Sequence, residues 1–213
     1  MIVEEMMKTD LITLTPDHTI AEAMKLLDTH KIRHIPIINE FHHVVGIISD
    51  RDVRDASPSI LDSTYTSALL SEPVRMIMQT EVITAHPLDF VEEIASIFYE
   101  HQIGCIPVIK NKRLVGVVTE RDLLHTFIQL TGTNKPGSQI EIKVENKAGV
   151  LAEVTSLFGS KRTNILSVLV YPDVDERYKI LVLRIQAINP LISVNLLKEN
   201  GYEVLWPKLP EMT

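Results

Sequence analysis

Hydrophobic and polar positions recur in the same order in two stretches of the chain. In each stretch, apolar residues spaced i, i+3, i+4 and i+7 predict a helix with one buried face. They are Ile20, Ala23, Met24 and Leu27 in the first stretch, and Val91, Ile94, Ala95 and Phe98 in the second. A short extended segment precedes each helix, while two β-rich segments and a second helix follow it. Each stretch therefore predicts the order βαββα.

Identical residues link the two stretches position by position. The matching pairs are Met7 with Met78, Pro16 with Pro87, His30 with His101 and Pro36 with Pro107. After a turn that is one residue shorter in the second copy, Gly46 matches Gly116 and Asp52 matches Asp122. A unit of fewer than about 60 residues buries too little apolar surface to be robust alone. We predict a repeat at 1–56, a connector at 57–72 and a second repeat at 73–130, packed together.

The last third of the chain has a different pattern. Turn-forming residues fill 131–138, which we predict to be a linker. An alternating segment after this linker predicts a strand, and two later apolar stripes predict amphipathic helices. The remaining β-rich segments lie near 164–171, 178–186 and 202–206. The resulting order βαββαβ predicts a ferredoxin-like domain over 139–213.

Four short motifs occur in both repeats in the same order. They are Thr-x-x-Pro, His-(Lys/Gln)-Ile, Ile-Pro and Gly-h-h-(Ser/Thr)-x-x-Asp, where h is a hydrophobic residue. With these motifs, residues 1–128 resemble a tandem pair of CBS domains (cystathionine-β-synthase-type repeats), a Bateman module. With the turn at 146–149, the C-terminal domain resembles an ACT domain. The resemblance implies an α+β fold, in which a CBS-domain pair of two βαββα repeats precedes a ferredoxin-like βαββαβ ACT domain.

A hydroxyl and a carboxylate recur where the second helix of each repeat begins, with an arginine between them. These residues are Ser49, Arg51 and Asp52 in the first repeat, and Thr119, Arg121 and Asp122 in the second. A carboxylate can accept both hydroxyl hydrogens of a ribose, whereas a hydroxyl, a helix N-terminus and a cation suit a phosphate. Each corner therefore carries the groups that a ribonucleotide needs.

The CBS resemblance implies an adenine nucleotide (AMP, ADP or ATP) as regulatory ligand, in up to two clefts. The segments that would line adenine are Thr13, Leu14, Ile35 and Pro36, or Thr84, Ala85, Ile106 and Pro107. The second site is slightly favoured, because its neighbours Gly104 and Cys105 are small, whereas Arg33 and His34 could either fill the first cleft or contact phosphate. The alternative is that Ser/Thr-x-x-Asp only caps a helix. The protein would then be a ligand-free scaffold that dimerises and recruits a partner enzyme.

The ACT resemblance implies a second kind of site, where the first strand of that domain turns into its first helix. Small ligands, often amino acids, would lie between subunits there, against Asn146, Gly149, Val150 and Leu151. The alternative is that the domain only forms a homodimer, by pairing edge strands side by side.

The combination of a CBS pair with an ACT domain resembles the acetoin utilisation proteins of Bacillus-type bacteria. This implies a role in acetoin or butanediol catabolism, with an enzyme of carbon metabolism as partner. We expect a regulatory protein without a metal or other cofactor, because the sequence has no His-Glu-x-x-His, paired cysteines or Ser-His-Asp order. A hydrolase that uses Asp52 or Asp122 with a histidine is a third alternative.

Composition excludes several other classes. The net charge of −7 and the pI near 5.6 argue against a nucleic-acid binder, which needs a basic face. A single cysteine rules out an internal disulfide framework. No apolar run reaches the roughly 18 residues of a membrane helix, and residues 1–5 lack the order of a signal peptide. We therefore expect a cytoplasmic protein with no membrane contact.

Overall fold

The computed structural model of the protein describes residues 1–56 and 70–208. Most of the predicted connector at 57–72 therefore lies outside the described residues. The chain forms two compact units, Met1–Leu124 and His125–Thr213. In the parts that are described, no helix is both long and apolar enough to cross a membrane.

The first unit contains the two repeats, each built from a helix, an antiparallel hairpin and a second helix. In the first repeat these are α1 (Ile20–His30), β1 (His34–Ile38), β2 (Val44–Ser49) and α2 (Asp50–Ala56). In the second they are α3 (Val91–His101), β3 (Cys105–Lys110), β4 (Arg113–Thr119) and α4 (Glu120–Leu130), whose last residues belong to the second unit. The predicted extended segment before each first helix forms a single parallel bridge, from Leu14 to Ile37 and from Ala85 to Val108.

The two repeats exchange their N-terminal segments. Val3, in the short 3₁₀ turn Val3–Glu5, is fully buried in the core of the second repeat. Val74, in the equivalent turn Val74–Met76, is fully buried in the core of the first repeat. The core of each repeat therefore includes a residue from the other repeat, as the small size of a single repeat predicts.

Short antiparallel bridges extend this exchange. Lys8 pairs with Val117 on β4 through N–O distances of 2.9 and 3.0 Å. Its counterpart Gln79 pairs with Ile47 on β2, where both distances are 2.9 Å. The exchange therefore places the side chains of residues 8 and 79 beside the ends of the other repeat's strands.

The repeated glycine of the Gly-h-h-(Ser/Thr)-x-x-Asp motif allows these segments to cross. A Cβ at Gly46 would lie 2.7 Å from Met78 Sδ, and one at Gly116 would lie 2.6 Å from Met7 Sδ. Backbone oxygens of the same segments would lie 3.1 and 3.2 Å away. A side chain at either position would therefore force the crossing segment of the other repeat to shift.

The second unit is a four-stranded antiparallel sheet in the order β6-β7-β5-β8, with two helices. Its elements are β5 (Ser138–Glu145), α5 (Val150–Ser160), β6 (Ile165–Pro172), β7 (Tyr178–Ile185), α6 (Leu191–Glu199) and β8 (Glu203–Trp206). Ile142 and Leu183 from the sheet pack with Phe158 and Leu197 from the helices, all almost fully buried. Burial of each such side chain stabilises the fold by about 1.5–3 kcal/mol. The predicted α+β fold class is confirmed.

Candidate ligand cleft between the repeats

The hydroxyl and carboxylate at the start of α4 hold each other in place. The Thr119 backbone N–H and hydroxyl donate to Asp122 Oδ2 at 3.0 and 2.5 Å, and the Asp122 N–H donates back to the hydroxyl oxygen at 3.3 Å. Ser49 and Asp52 make the same three contacts at the start of α2, at 2.7, 2.6 and 3.2 Å. Both corners therefore form helix caps, and this leaves one carboxylate oxygen of each aspartate for another partner.

The exchanged segments supply that partner. Lys8 Nζ lies 2.9 Å from Asp122 Oδ1, with the aspartate side chain 12% exposed and the lysine 57% exposed. At the first corner, Gln79 Nε2 lies 3.5 Å from Asp52 Oδ1. Residues 8 and 79 are repeat counterparts, so each corner receives its final contact from the opposite repeat. The two corners differ in the charge of that contact.

A cavity of about 310 Å³ lies beside the second corner, between the two repeats. This volume is at the lower end of the range for small-molecule sites. The first repeat contributes Lys8, Asp10, Leu11, Ile12, Lys31, Ile32, Arg33, His34 and Pro36, and the second contributes Gly104, Cys105, Val117, Thr119, Glu120 and Arg121. The cavity thus depends on both repeats and on the exchanged segment.

Of the predicted nucleotide-site residues, the structure brings Pro36, Thr119 and Arg121 together in this cavity. Asp122 adjoins it, through its contacts with Thr119 and Lys8. The other predicted residues do not line it: Thr13, Leu14, Ile35, Ser49, Arg51, Asp52, Thr84, Ala85, Ile106 and Pro107. The sequence prediction did not assign the adenine-lining segments to one corner or the other, and in the structure the wall opposite Thr119 comes from the first repeat.

Four of these predicted residues have their side chains in the protein core. Leu14 and Ala85 are 3% exposed, and Ile35 and Ile106 are completely buried. The backbone groups of Leu14 are also engaged, since its N–H donates to Pro36 and its carbonyl accepts from Ile38. In this arrangement the four side chains stabilise the repeats and do not face the cavity.

The cavity carries more positive than negative charge. Its cations are Lys8, Lys31, Arg33 and Arg121, and its carboxylates are Asp10 and Glu120. Lys31 is paired with Asp28 at 2.7 Å. Arg33 and Arg121, in contrast, have no side-chain hydrogen bond or ion pair within the described part of the chain. Two free guanidinium groups at one cavity suit an anionic ligand such as a phosphate.

His34 and Cys105 are repeat counterparts that both contact this cavity. Burial lowers the pKa of His34, although Asp50, Asp52 and Glu120 oppose that effect. A Cβ on Gly104 would lie 2.9 Å from the His34 ring, so the glycine makes room for it. Burial, with a smaller effect of Asp122, raises the pKa of the Cys105 thiol to about 12. That thiol remains protonated at neutral pH and is a poor nucleophile.

Sequence reasoning did not place Lys8, Asp10, Lys31 or Glu120 at the cleft. One signal was available, because Lys8 follows Met7 as Gln79 follows Met78. Nothing in the sequence showed that these segments cross to the opposite repeat. Among residues 1–56 and 70–208, no three His, Cys, Asp or Glu side chains lie together as a metal site would require.

The predicted ACT site is on the surface of the second unit, except for one residue. Gly149 has a left-handed backbone with φ of 88° before α5, and Leu151 is 39% exposed. Asn146 donates from its side chain to the Glu176 carbonyl at 3.2 Å, which fixes the turn. Val150 is buried in the core. A separate cavity of about 350 Å³ in this unit is lined by none of the four.

Two protein-family models match the chain, one in each of its two parts. The model of the CBS domain matches residues 3–59 and 74–128, more than half of the chain. The model of the ACT domain matches residues 138–193.

Two curated relatives match the CBS portion. The CBS domain-containing protein YhcV of Bacillus subtilis is 30% identical over 121 residues, which is 57% of this chain and 81% of YhcV. The inosine-5′-monophosphate dehydrogenase of Methanocaldococcus jannaschii is 30% identical over 122 residues, but the match spans only 22% of that enzyme.

Two solved structures share the fold of the CBS portion. The CBS-domain pair of protein MJ0100, in complex with 5′-methylthioadenosine and S-adenosyl-L-methionine, is 31% identical with a TM-score of 0.53. That match covers 63% of this chain and 98% of the solved CBS-domain pair. A Vibrio cholerae structure assigned to the acetoin utilization protein AcuB is 31% identical with a TM-score of 0.55, covering 63% of this chain and 96% of its own. The chain therefore belongs to the CBS-domain family and carries tandem CBS domains followed by an ACT domain.

Proposed function

We propose that this protein is a non-catalytic regulatory protein that senses an adenine nucleotide of the AMP, ADP or ATP class in the second cleft. The observation that carries the proposal is the cavity beside the Thr119–Asp122 corner, lined by two arginines that have no side-chain partner among residues 1–56 and 70–208. The complex of MJ0100 with two adenosyl ligands supports the adenosine part of this proposal. The charge of the cavity supports the phosphate part.

Each group in the cleft has a role in this proposal. Asp122 accepts hydrogen bonds from the ribose hydroxyls. The N-terminus of α4 favours a phosphate through its backbone N–H groups and the helix dipole. Arg121 and Arg33 neutralise the phosphate charge. The apolar Leu11, Ile12 and Pro36 provide a surface for the adenine ring.

A regulatory effect follows because a ligand in this cavity contacts both repeats and the exchanged segment. A ligand that binds one arrangement of the repeats more tightly than another shifts the population toward it. We propose that a partner enzyme of carbon metabolism responds to that shift in the cytoplasm, in acetoin or butanediol catabolism. Similarity to the Vibrio cholerae structure supports the acetoin assignment.

A second candidate function is a homodimeric scaffold built on the ACT domain. Its observation is the edge strand β6, which exposes Leu169, Val170 and Tyr171 at 43%, 50% and 45%. An unpaired edge with exposed apolar side chains is suited to pairing with a second copy. In this candidate both CBS clefts stay empty, and the ACT turn at Asn146 and Gly149 takes no ligand. The nucleotide sensor is compatible with the same dimer.

A thermal melt with AMP, ADP, ATP and S-adenosylmethionine distinguishes the sensor from the ligand-free scaffold. A ligand present at about a hundred times its Kd raises the free energy of unfolding by roughly 2.7 kcal/mol, which raises Tm by several degrees. We expect this shift with a nucleotide, and we expect Asp122→Asn to abolish it. The matched variant Asp52→Asn has the same charge change at the first corner and should retain it. Absence of a shift with every nucleotide contradicts the sensor and leaves the scaffold.

A further inference from the structure

We infer that Lys8 makes the second cleft select adenosyl ligands that carry phosphate over neutral ones such as adenosine. This inference rests on the proposed function, since it concerns the same cleft. It assigns the choice between ligands to a residue outside the repeated Gly-h-h-(Ser/Thr)-x-x-Asp motif.

Lys8 occupies the contact that a ribose needs. Its ammonium lies 2.9 Å from Asp122 Oδ1, while Oδ2 already accepts both hydrogen bonds from Thr119. A ribose hydroxyl that approaches Asp122 must therefore share or displace the ammonium. This cost is the same for adenosine and for AMP, because the two have the same ribose.

Only a phosphate compensates for that cost. Lys8 lines the cavity together with Arg33 and Arg121, so a displaced ammonium remains beside any anion bound there. An ion pair with phosphate replaces the one lost at Asp122, whereas a neutral nucleoside offers no such partner. Lys8 therefore opposes adenosine more than it opposes AMP.

The first corner shows the same position without the charge. Gln79 holds the place of Lys8, with the same backbone bridge and a longer contact of 3.5 Å to Asp52. Because the backbone of residue 8 makes the bridge and its side chain is 57% exposed, Lys8→Gln changes the side chain without removing the bridge. The variant gives the second corner the same neutral residue from the opposite repeat that the first corner has.

Isothermal titration of the full chain with AMP and with adenosine tests the inference. The preference is the ratio of the adenosine Kd to the AMP Kd, which cancels effects common to both ligands. We expect Lys8→Gln to lower this ratio by about fivefold, as removal of a partly exposed charge predicts. Lys8→Arg keeps the charge and should keep the ratio within about twofold. Lys25→Gln, an exposed α1 residue away from the cavity, controls for net charge and should also keep it.

Each outcome decides between the inference and the proposed function. An unchanged ratio in Lys8→Gln, or an equal fall in Lys25→Gln, overturns the role of Lys8 and leaves nucleotide sensing intact. A wild-type protein that binds none of AMP, ADP, ATP and adenosine overturns the proposed function and this inference with it. If a melting curve shows that Lys8→Gln is unfolded, Lys8→Met removes the same charge at similar length, and an unchanged ratio in that variant is equally decisive.

Discussion

The two corners of the CBS pair have the same hydrogen bonds and different surroundings. At both, a hydroxyl residue caps the helix that follows and fixes one oxygen of an aspartate. The residue from the opposite repeat is the cation Lys8 at the second corner and the neutral Gln79 at the first. Small residues, Gly104 and Cys105, replace Arg33 and His34 in the second repeat. The two repeats thus share the contacts that cap the helix and differ in the side chains around those contacts.

This difference separates two roles that the repeated motif combines. The glycine, the hydroxyl and the aspartate are needed in both copies because they allow the segments to cross and cap the helices. The cavity, in contrast, lies beside the second corner, where the residue from the opposite repeat carries a charge. Variants at paired positions can therefore show which role each residue serves.

The largest expected effect is on stability, and it should be equal in the two repeats. Gly116→Ala and Gly46→Ala each place a Cβ within 2.7 Å of a methionine sulfur from the crossing segment. Overpacking of this kind costs about 1–3 kcal/mol, so we expect the free energy of unfolding to fall by that amount in both variants. Urea denaturation measures the change.

Gly159→Ala provides the control for these glycines. A Cβ at Gly159, within α5, meets nothing within 4 Å. Replacement of a helical glycine by alanine should stabilise the protein by about 0.5–1 kcal/mol. If Gly46→Ala or Gly116→Ala is as stable as wild type, the crossing segments are not packed as tightly as described.

The next effect concerns binding, and it should differ between the repeats. Arg121 lines the cavity and has no partner in the described part of the chain, whereas its counterpart Arg51 lies outside that cavity. We expect Arg121→Ala to weaken AMP binding about tenfold, or about 1.4 kcal/mol, and Arg51→Ala to change it less than about twofold. Isothermal titration gives both constants. Equal losses in the two variants would mean that both clefts bind the nucleotide and that the two corners do not differ in ligand binding.

Local sequence patterns were sufficient for the fold and for the two corners. Apolar spacing in α1 and α3 and the hairpins after them depend on contacts within one repeat, which a periodic pattern records directly. The pairs Ser49–Asp52 and Thr119–Asp122 are three residues apart, so their geometry is set by the turn between strand and helix. Local chemistry was therefore enough to predict the pairing of hydroxyl and carboxylate at each helix start, whereas their role in ligand binding stays a prediction.

The walls of the cleft could not be predicted in the same way. Ile35 and Ile106 are apolar strand residues, and the same pattern is typical of a core position and of a ligand-lining position. Lys8 reaches Asp122 only because the N-terminal segment crosses to the other repeat. That crossing is a tertiary contact between distant residues, and hydrophobic periodicity carries no information about which repeat receives the segment.

The smallest expected effect is the pH dependence of stability from His34, whose counterpart Cys105 does not titrate near neutral pH. Burial lowers the folded-state pKa of His34 below its ordinary value of 6.5, so the unfolded chain binds the proton more readily. The stabilising contribution is therefore complete above about pH 6.5 and is lost as the pH falls toward the folded-state pKa. We expect a loss of less than about 1 kcal/mol, because the side chain is only partly buried.

His34→Cys gives the first repeat the residue that the second repeat has at this position. Because the sequence contains 8 histidines, comparison with this variant separates the contribution of His34 from those of the other seven. Urea unfolding of both proteins between about pH 5.5 and 7.5 measures it. The free energy of unfolding of the wild type should fall more steeply toward acid than that of the variant, whatever constant difference the smaller side chain adds. A steeper fall in His34→Cys would mean that Asp50, Asp52 and Glu120 outweigh burial at this position. His34 would then be stabilised as a cation, and the first repeat would contribute a further positive charge to the cleft at acid pH.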